Sequence, residues 1–300
     1  MASDRVRWTR CAVGVALVAL ALVASASSAL AGQRTLPDIE YARVDSISLR
    51  LDLYLPTPVP ARPVPLVVWI HGGGWMSGSK EDCPAPSVLG DDYAVASIDY
   101  RFSQTAPFPA QLDDCKAAIR WLRANAGGYG YDPDRIGVWG ASAGGHLAAL
   151  LGTTGEEPES EGNVGQDLGI SSRVQAVCDF CGPTDLTAVV DQLLAMDELA
   201  AVFLVSDLLG GPPDEKTDLA RWASPIAHVD SGDSPFLIVH GEEDEIVPVA
   251  QATSFYEALA SAGVDVSLCV VPGAGHCDFP SAVDERVRDF FARTLGAKGS

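Results

Sequence analysis

One serine stands out by its neighbours. Gly140-Ala141-Ser142-Ala143-Gly144 reads G-x-S-x-G, directly after the apolar run 136–139 and before a helical pattern that continues through 147–151. A sharp strand-to-helix turn of this kind lifts a serine hydroxyl clear of the backbone. Small residues on either side let the turn close. Ser142 would also sit near a helix N-terminus, where N–H groups and the helix dipole favour a developing anion. A chain with 29 glycines can match such a motif by chance. The strand before it and the helix after it argue for a nucleophile.

A second glycine cluster follows the apolar run 66–70. It reads His71-Gly72-Gly73-Gly74-Trp75. Three successive glycines clear one short loop of side chains, so its N–H groups can point into a cavity and bind an oxyanion. Gly73 and Gly74 are the expected donors, joined by the N–H of Ala143. His71 reads as a structural loop residue rather than a base.

A hydroxyl nucleophile needs a base, and the base needs an orienting acid. With a serine in this setting, acid and base follow in that order along the chain. The histidines are His71, His146, His228, His240 and His276. Only His276 lies beyond the acidic cluster that follows the run 236–239, in a Gly-rich loop after the last expected strand. Loops at strand C-termini are where sheets of parallel strands keep their sites. His276 is therefore the expected base. The acid stays open on the residues alone: Glu242, Glu243, Asp244 and Glu245 stand in a row. His240 is expected to shape that loop rather than to titrate.

These residues need a frame. Residues 48–55 alternate weakly and suit antiparallel strands near a sheet edge. Short, continuously apolar runs at 66–70, 94–98, 136–139, 174–177, 236–239 and 266–271 suit parallel strands buried on both faces. Helical patterns at 111–124, after Ser142, at 249–262 and at 283–295 alternate with them. The expected fold class is α/β, a mostly parallel sheet flanked by helices. Residues 185–221 break the rhythm and read as a small cap insertion; residues 153–172 read as an acidic surface loop. No internal repeat is present. Asp113 and Asp114 suit the dipole at a helix start, Asp132-Pro133-Asp134-Arg135 reads as a turn, and Arg101 is expected to tie loops together.

The N-terminus is expected to stand apart. Arg5, Arg7 and Arg10 precede an apolar run at 11–30, and Ala29-Leu30-Ala31 fits a cleavage site. Residues 1–31 thus read as a signal peptide cut after Ala31, the alternative being an uncleaved anchor. Residues 32–300 would form the catalytic domain, secreted or periplasmic, with no stable membrane association. That part holds 17 basic against 39 acidic residues. Such a charge disfavours nucleic acid and anionic membranes, makes neutral substrates the better expectation, and suits plain solubility of an exported chain. No metal-ligand spacing, P-loop or G-x-G-x-x-G motif occurs, so no metal and no cofactor is expected. Six cysteines lie beyond the leader: Cys83, Cys115, Cys178, Cys181, Cys269 and Cys277. An even count in an exported chain permits disulfides. Cys178-x-x-Cys181 lacks a second CxxC and suits a structural role.

Taken together, Leu53-Tyr54-Leu55-Pro56, His71-Gly72-Gly73-Gly74-Trp75, Asp99-Tyr100-Arg101, Gly140-Ala141-Ser142-Ala143-Gly144-Gly145-His146 and His240-Gly241 with Asp244 and Val247-Pro248 resemble the α/β-hydrolase superfamily. Within it they are similar to hormone-sensitive-lipase-like esterases and the bifunctional feruloyl and acetyl-xylan esterase type. The resemblance covers residues 41–295. It implies a serine carboxylesterase with an acyl-enzyme intermediate and a small-molecule substrate, a short-acyl or carbohydrate-linked ester, and its H-G-x-x-D-x-x-V-P pattern puts the acid on Asp244, with Glu243 the nearest rival. It also carries rivals: an amide or peptide hydrolase on the same fold, or a non-catalytic binding protein. Cys178, Cys181 and Cys277 depart from the resemblance, and Cys181 and Cys277 are candidates to pair and brace the His276 loop.

Overall fold

The computed structural model describes residues 32–296 apart from Glu156 and Asp197. The expected leader and its cleavage point lie outside those residues. Among the described residues, no helix is long and apolar enough to cross a membrane.

Eight strands form one sheet. In chain order they are β1 (Gly32–Val44), β2 (Ile47–Thr57), β3 (Val64–Ile70), β4 (Ala94–Ile98), β5 (Tyr131–Ala141), β6 (Ala176–Phe180), β7 (Phe236–Gly241) and β8 (Val266–Val271). Their spatial order is β1-β2-β4-β3-β5-β6-β7-β8. β1 pairs antiparallel with β2 and β2 with β4, while β3 to β8 run parallel. This is the α/β-hydrolase fold, with the weakly alternating segment at the antiparallel edge.

The helices are α1 (Ala85–Leu89), α2 (Ala110–Tyr129), α3 (Ala143–Thr153), α4 (Val189–Ala195), α5 (Leu199–Leu209), α6 (Thr217–Trp222), α7 (Ala250–Ala262) and α8 (Ala282–Leu295). Successive strand residues point to opposite faces, so the sheet has two cores. On β3, Leu66, Val68 and Ile70 pack with α2, α3 and α7, while Val67 and Trp69 pack with α1 and α8. A strand covered on both faces has no reason to alternate, which is why these segments read as unbroken apolar runs.

Two strands differ from expectation. β6 begins at Ala176, two residues after the start of its apolar run. β8 is an edge strand rather than a buried central one, and Val270 is exposed. It is apolar because Leu268 leans on one core and Cys269 and Val271 on the other. The segment between β6 and β7 carries α4, α5 and α6, and α5 docks through buried Val205, Leu208 and Leu209. The acidic stretch after α3 is anchored: Arg120, buried in α2, donates to the Glu161 carboxylate at 2.8 Å and to the Val164 carbonyl at 2.9 Å.

Asp114 also differs. It does not serve as a solvated charge at the start of α2. It is fully buried and accepts a fork from Arg101, Nη2 to Oδ1 at 2.7 Å and Nε to Oδ2 at 2.8 Å, plus the Arg101 N–H at 2.9 Å. The same short loop is tied to the glycine motif, because Tyr100 donates its hydroxyl to the His71 carbonyl at 3.1 Å. Removing one partner of a buried, hydrogen-bonded pair strands the other charge, which typically costs about 3–5 kcal/mol. Asp114→Ala should therefore lower the unfolding free energy by that much, read as a lower urea midpoint at an unchanged slope. A midpoint within error of the parent would show that the pair contributes nothing.

Candidate active site

Five parallel strands send their C-terminal loops to one edge of the sheet. β3 leads into His71-Gly72-Gly73-Gly74, β5 into Ser142, β6 into Cys181, β7 into Asp244, and β8 into His276. The expected nucleophile, acid and base are brought together there although 134 residues separate Ser142 from His276.

Ser142 has φ 56° and ψ −121°, a backbone that L residues rarely adopt. Two glycines make the turn possible by close approach. A Cβ on Gly140 would sit 2.1 Å from the Gly144 carbonyl oxygen, and one on Gly144 would sit 2.0 Å from that of Ile70. The Ser142 N–H donates to the Phe180 carbonyl at 2.7 Å, which fastens the turn to β6.

The Ser142 Oγ lies 2.8 Å from His276 Nε2, and His276 Nδ1 lies 2.8 Å from Asp244 Oδ2. The tautomer follows from the partners: Nδ1–H donates to the carboxylate, leaving Nε2 to accept from the serine hydroxyl. Of the four neighbouring carboxylates only Asp244 is buried; Glu242, Glu243 and Glu245 are exposed. Its Oδ1 accepts the N–H groups of Ile246 and Val247 at 2.9 and 2.8 Å, and His240 Nε2 stands 3.2 Å from Oδ2. Burial works to raise the Asp244 pKa, but the hydrogen bonds from His240, His276 and Val247 outweigh it and hold the carboxyl well below the usual range. Burial likewise works against a charged His276, yet hydrogen bonds to Asp244 and Cys277 shift its pKa upward. Both contacts stabilise the imidazolium once it forms.

The glycine loop lies against the serine turn. Gly73 and Gly74 have φ of 107° and 60°. Among the described residues neither N–H donates to another group. Ala143 is the first residue of α3, so its N–H has no partner within the helix. A small, mostly apolar cavity of about 30 Å³ opens beside these groups, lined by Gly74, Trp75, Ser142, Ala143, Pro183, Val189, Leu193, Ala201, Leu204, Val205, Ile246 and Val247. Its wall from α4 and α5 was not legible from motifs.

The other histidines are structural in this geometry. His71 stacks on Tyr100 with ring centres 4.4 Å apart, and burial lowers its pKa. His240 bonds the Val247 carbonyl at 2.7 Å and so closes the acid loop. His228 Nε2 meets the Trp222 carbonyl at 2.8 Å. His146 makes a contact the sequence did not announce. Its Nδ1 accepts from Trp75 Nε1 at 3.2 Å, and its Nε2–H donates to the Ala223 carbonyl at 2.7 Å. That links the glycine loop, α3 and the end of α6. All six described cysteines are free thiols. Cys181 and Cys277 are neighbours without being a disulfide: the Cys277 N–H donates to Cys181 Sγ at 3.0 Å.

The BD-FAE family model matches residues 51–259. The chain belongs to the BD-FAE family. It is 33% identical to esterase LipC of Mycobacterium tuberculosis over 75% of this chain and 56% of that protein. The bifunctional GH43-CE structure from Bacteroides eggerthii superposes with a TM-score of 0.78 at 37% identity, over 87% of this chain and 38% of that one. A truncated carbohydrate esterase from gut microbiota gives 0.76 at 31% identity, over 87% and 96%. The chain thus spans little more than half the length of LipC.

His146 generates a pH prediction. Burial lowers its pKa from 6.5 to about 4. As pH falls below 6.5 the unfolded chain takes up this proton first. The stability that neutral His146 contributes is therefore present above 6.5 and lost progressively toward pH 4. Thermal midpoints should fall across that window, and the non-titrating His146→Asn should flatten the fall even if its midpoint is lower at neutral pH. An equally steep fall in the variant would assign the effect to other groups.

Proposed function

We propose that this chain is a serine carboxylesterase that hydrolyses short-acyl or carbohydrate-linked esters through Ser142, His276 and Asp244. The observation that carries this reading is the line of two 2.8 Å hydrogen bonds from serine hydroxyl to imidazole to buried carboxylate. The names of the relatives, esterases and carbohydrate esterases, support the ester class.

His276 Nε2 takes the hydroxyl proton as Ser142 Oγ attacks the ester carbonyl carbon. Asp244 fixes the imidazole tautomer and stabilises the imidazolium without itself becoming protonated. The N–H groups of Gly73, Gly74 and Ala143 receive the oxyanion. They can do so at little reorganisation cost, since among the described residues no acceptor competes for the glycine pair. His276 then protonates the departing alcohol. A water, deprotonated by the same nitrogen, releases the acid from the acyl-enzyme.

The cavity beside Ser142 favours small acyl groups. A space of about 30 Å³ holds a water or two, and the aliphatic residues of α4 and α5 that bound it suit a methyl or ethyl group. The alcohol side must then lie toward solvent, past half-buried His276, where a sugar can be tolerated.

Ser142→Ala should abolish turnover of p-nitrophenyl acetate. Asp244→Asn should fold normally and lower kcat by about 10⁴, since it holds the imidazole in the wrong tautomer. Near-parental turnover in the serine variant would refute the nucleophile. Leu204 bounds the acyl side, its Cδ1 2.9 Å from where a Gly74 Cβ would stand. Leu204→Ala should shift preference from acetyl toward butyryl and hexanoyl esters in a kcat/KM series. An unchanged acyl-length profile would remove α5 from the specificity wall.

A further inference from the structure

Two thiols and the catalytic imidazole converge at the site edge without any role in the acyl-transfer scheme. Cys181 Sγ, Cys277 Sγ and one ring nitrogen of His276 lie within 4.8 Å of one another. Cys277 Sγ stands 4.0 Å from His276 Nε2, the nitrogen that faces Ser142. Cys181 comes from the loop after β6 and Cys277 from the loop after β8, 96 residues apart, so no sequence spacing reveals the cluster. Both have positive φ, 52° and 53°, in tight bends that turn their side chains together. The Cys277 N–H, bonded to Cys181 Sγ, pins one bend to the other.

We propose that Cys181, Cys277 and His276 form a binding site for a soft divalent metal ion of the zinc type, and that occupancy of this site switches hydrolysis off. Zinc binds thiolate at about 2.3 Å and imidazole at about 2.0–2.1 Å. Tetrahedral donors then sit roughly 3.5–3.8 Å apart, so the present separations need about 1 Å of closure at most. The donor set selects the metal class: thiolate and imidazole favour zinc-like ions, whereas magnesium and calcium want oxygen. A partner for the ligating imidazole is already in place. His276 Nδ1–H donates to buried Asp244 at 2.8 Å, the carboxylate–histidine arrangement that commonly stands behind zinc. Three protein ligands leave a fourth position, within reach of Ser142 Oγ or of water. Half-buried Cys277 and His276 leave a path from solvent.

Binding replaces two S–H bonds by two metal–sulfur bonds and releases two protons to buffer. The metal also takes the Nε2 lone pair. That lone pair is the one that would accept the Ser142 proton, so a loaded site cannot start acyl transfer. The inhibitory half of the proposal rests on the reading of His276 as base; the binding half does not.

The test uses full-length chain, reduced with phosphine and stripped with EDTA. Added Co²⁺ should produce a thiolate-to-cobalt charge-transfer band, and Zn²⁺ should abolish it by displacement. Ser142→Ala should keep the band, which separates metal binding from the catalytic reading. In the active chain Zn²⁺ should inhibit p-nitrophenyl acetate hydrolysis, and EDTA should restore it. Loss of an outer partner alone costs about 10–100-fold in metal affinity. Cys181→Ser and Cys277→Ser, each retaining enough hydrolysis to titrate, should therefore raise the inhibitory zinc concentration at least about 100-fold and lose the band. Cys181→Ala and Cys277→Ala provide the same readout if a serine variant folds poorly. Absence of the band in the parent, or zinc sensitivity unchanged in both cysteine variants, would overturn the site. A full band with undiminished hydrolysis would overturn the switch.

Discussion

The site depends on one strained peptide unit. Ser142 is held at φ 56°, ψ −121°, a conformation that costs on the order of 1–3 kcal/mol and persists only when its surroundings over-determine it. Here they do. β5 fixes the chain before it, α3 the chain after it, and the Phe180 carbonyl takes its N–H. Gly140 and Gly144 bring the two arms of the turn within contact of each other. The glycine loop is built on the same backbone: a Cβ on Gly72 would meet the Ala141 carbonyl at 2.9 Å. Hydroxyl and expected oxyanion donors therefore cannot drift independently. Preorganisation is a property of the packing, not of any single contact.

The second constraint is electrostatic. Asp244 is buried with every acceptor direction in use: two backbone N–H groups and the rings of His240 and His276. A carboxylate so saturated has one orientation, and it transmits that orientation to His276. The described histidines divide this chemistry between them. Those at 71, 146 and 240 are buried, and each bonds a backbone carbonyl of the frame through one ring nitrogen. Only the one at 276 keeps a nitrogen facing a hydroxyl. Identical side chains thus take different tasks from burial and partner alone.

The parts that were legible in the chain are those fixed by local patterns. Ser142 and the glycines at 72–74 could be read from strand, turn and helix cues within a dozen residues. The parallel strands could be read because two-faced burial removes alternation. Asp244 could not be chosen on residue type, since four carboxylates share its loop. What separates it is burial, which arises when the loop after β8 folds over it; the Glu243 N–H donates to the Ala274 carbonyl at 2.9 Å to seal that contact. Asp114 departs from the local rule for helix termini because its partner, Arg101, comes from the loop after β4. The Trp75–His146–Ala223 link was hidden for the same reason, although a tryptophan ending one motif and a histidine ending the other are a signal that two motifs meet. β8 shows the limit of apolar runs: an edge strand leaning on both cores reads like a central one.

The segment carrying α4, α5 and α6 enters and leaves the sheet between two neighbouring strands, β6 and β7, and contributes nothing to the hydrogen-bonded line from serine to aspartate. It is moored by its own buried aliphatics, by the bond from His146 to Ala223, by the Phe108 N–H reaching the Leu208 carbonyl at 2.8 Å, and by Gln251 of α7, which bonds Thr184, Asp185 and Gln192. Such an arrangement separates two rates of evolutionary change. Serine, imidazole and carboxylate sit on loops locked to one another, where almost any drift is punished. The wall beside them belongs to a segment outside that line, so a lineage can remodel what it admits while the line itself stays intact.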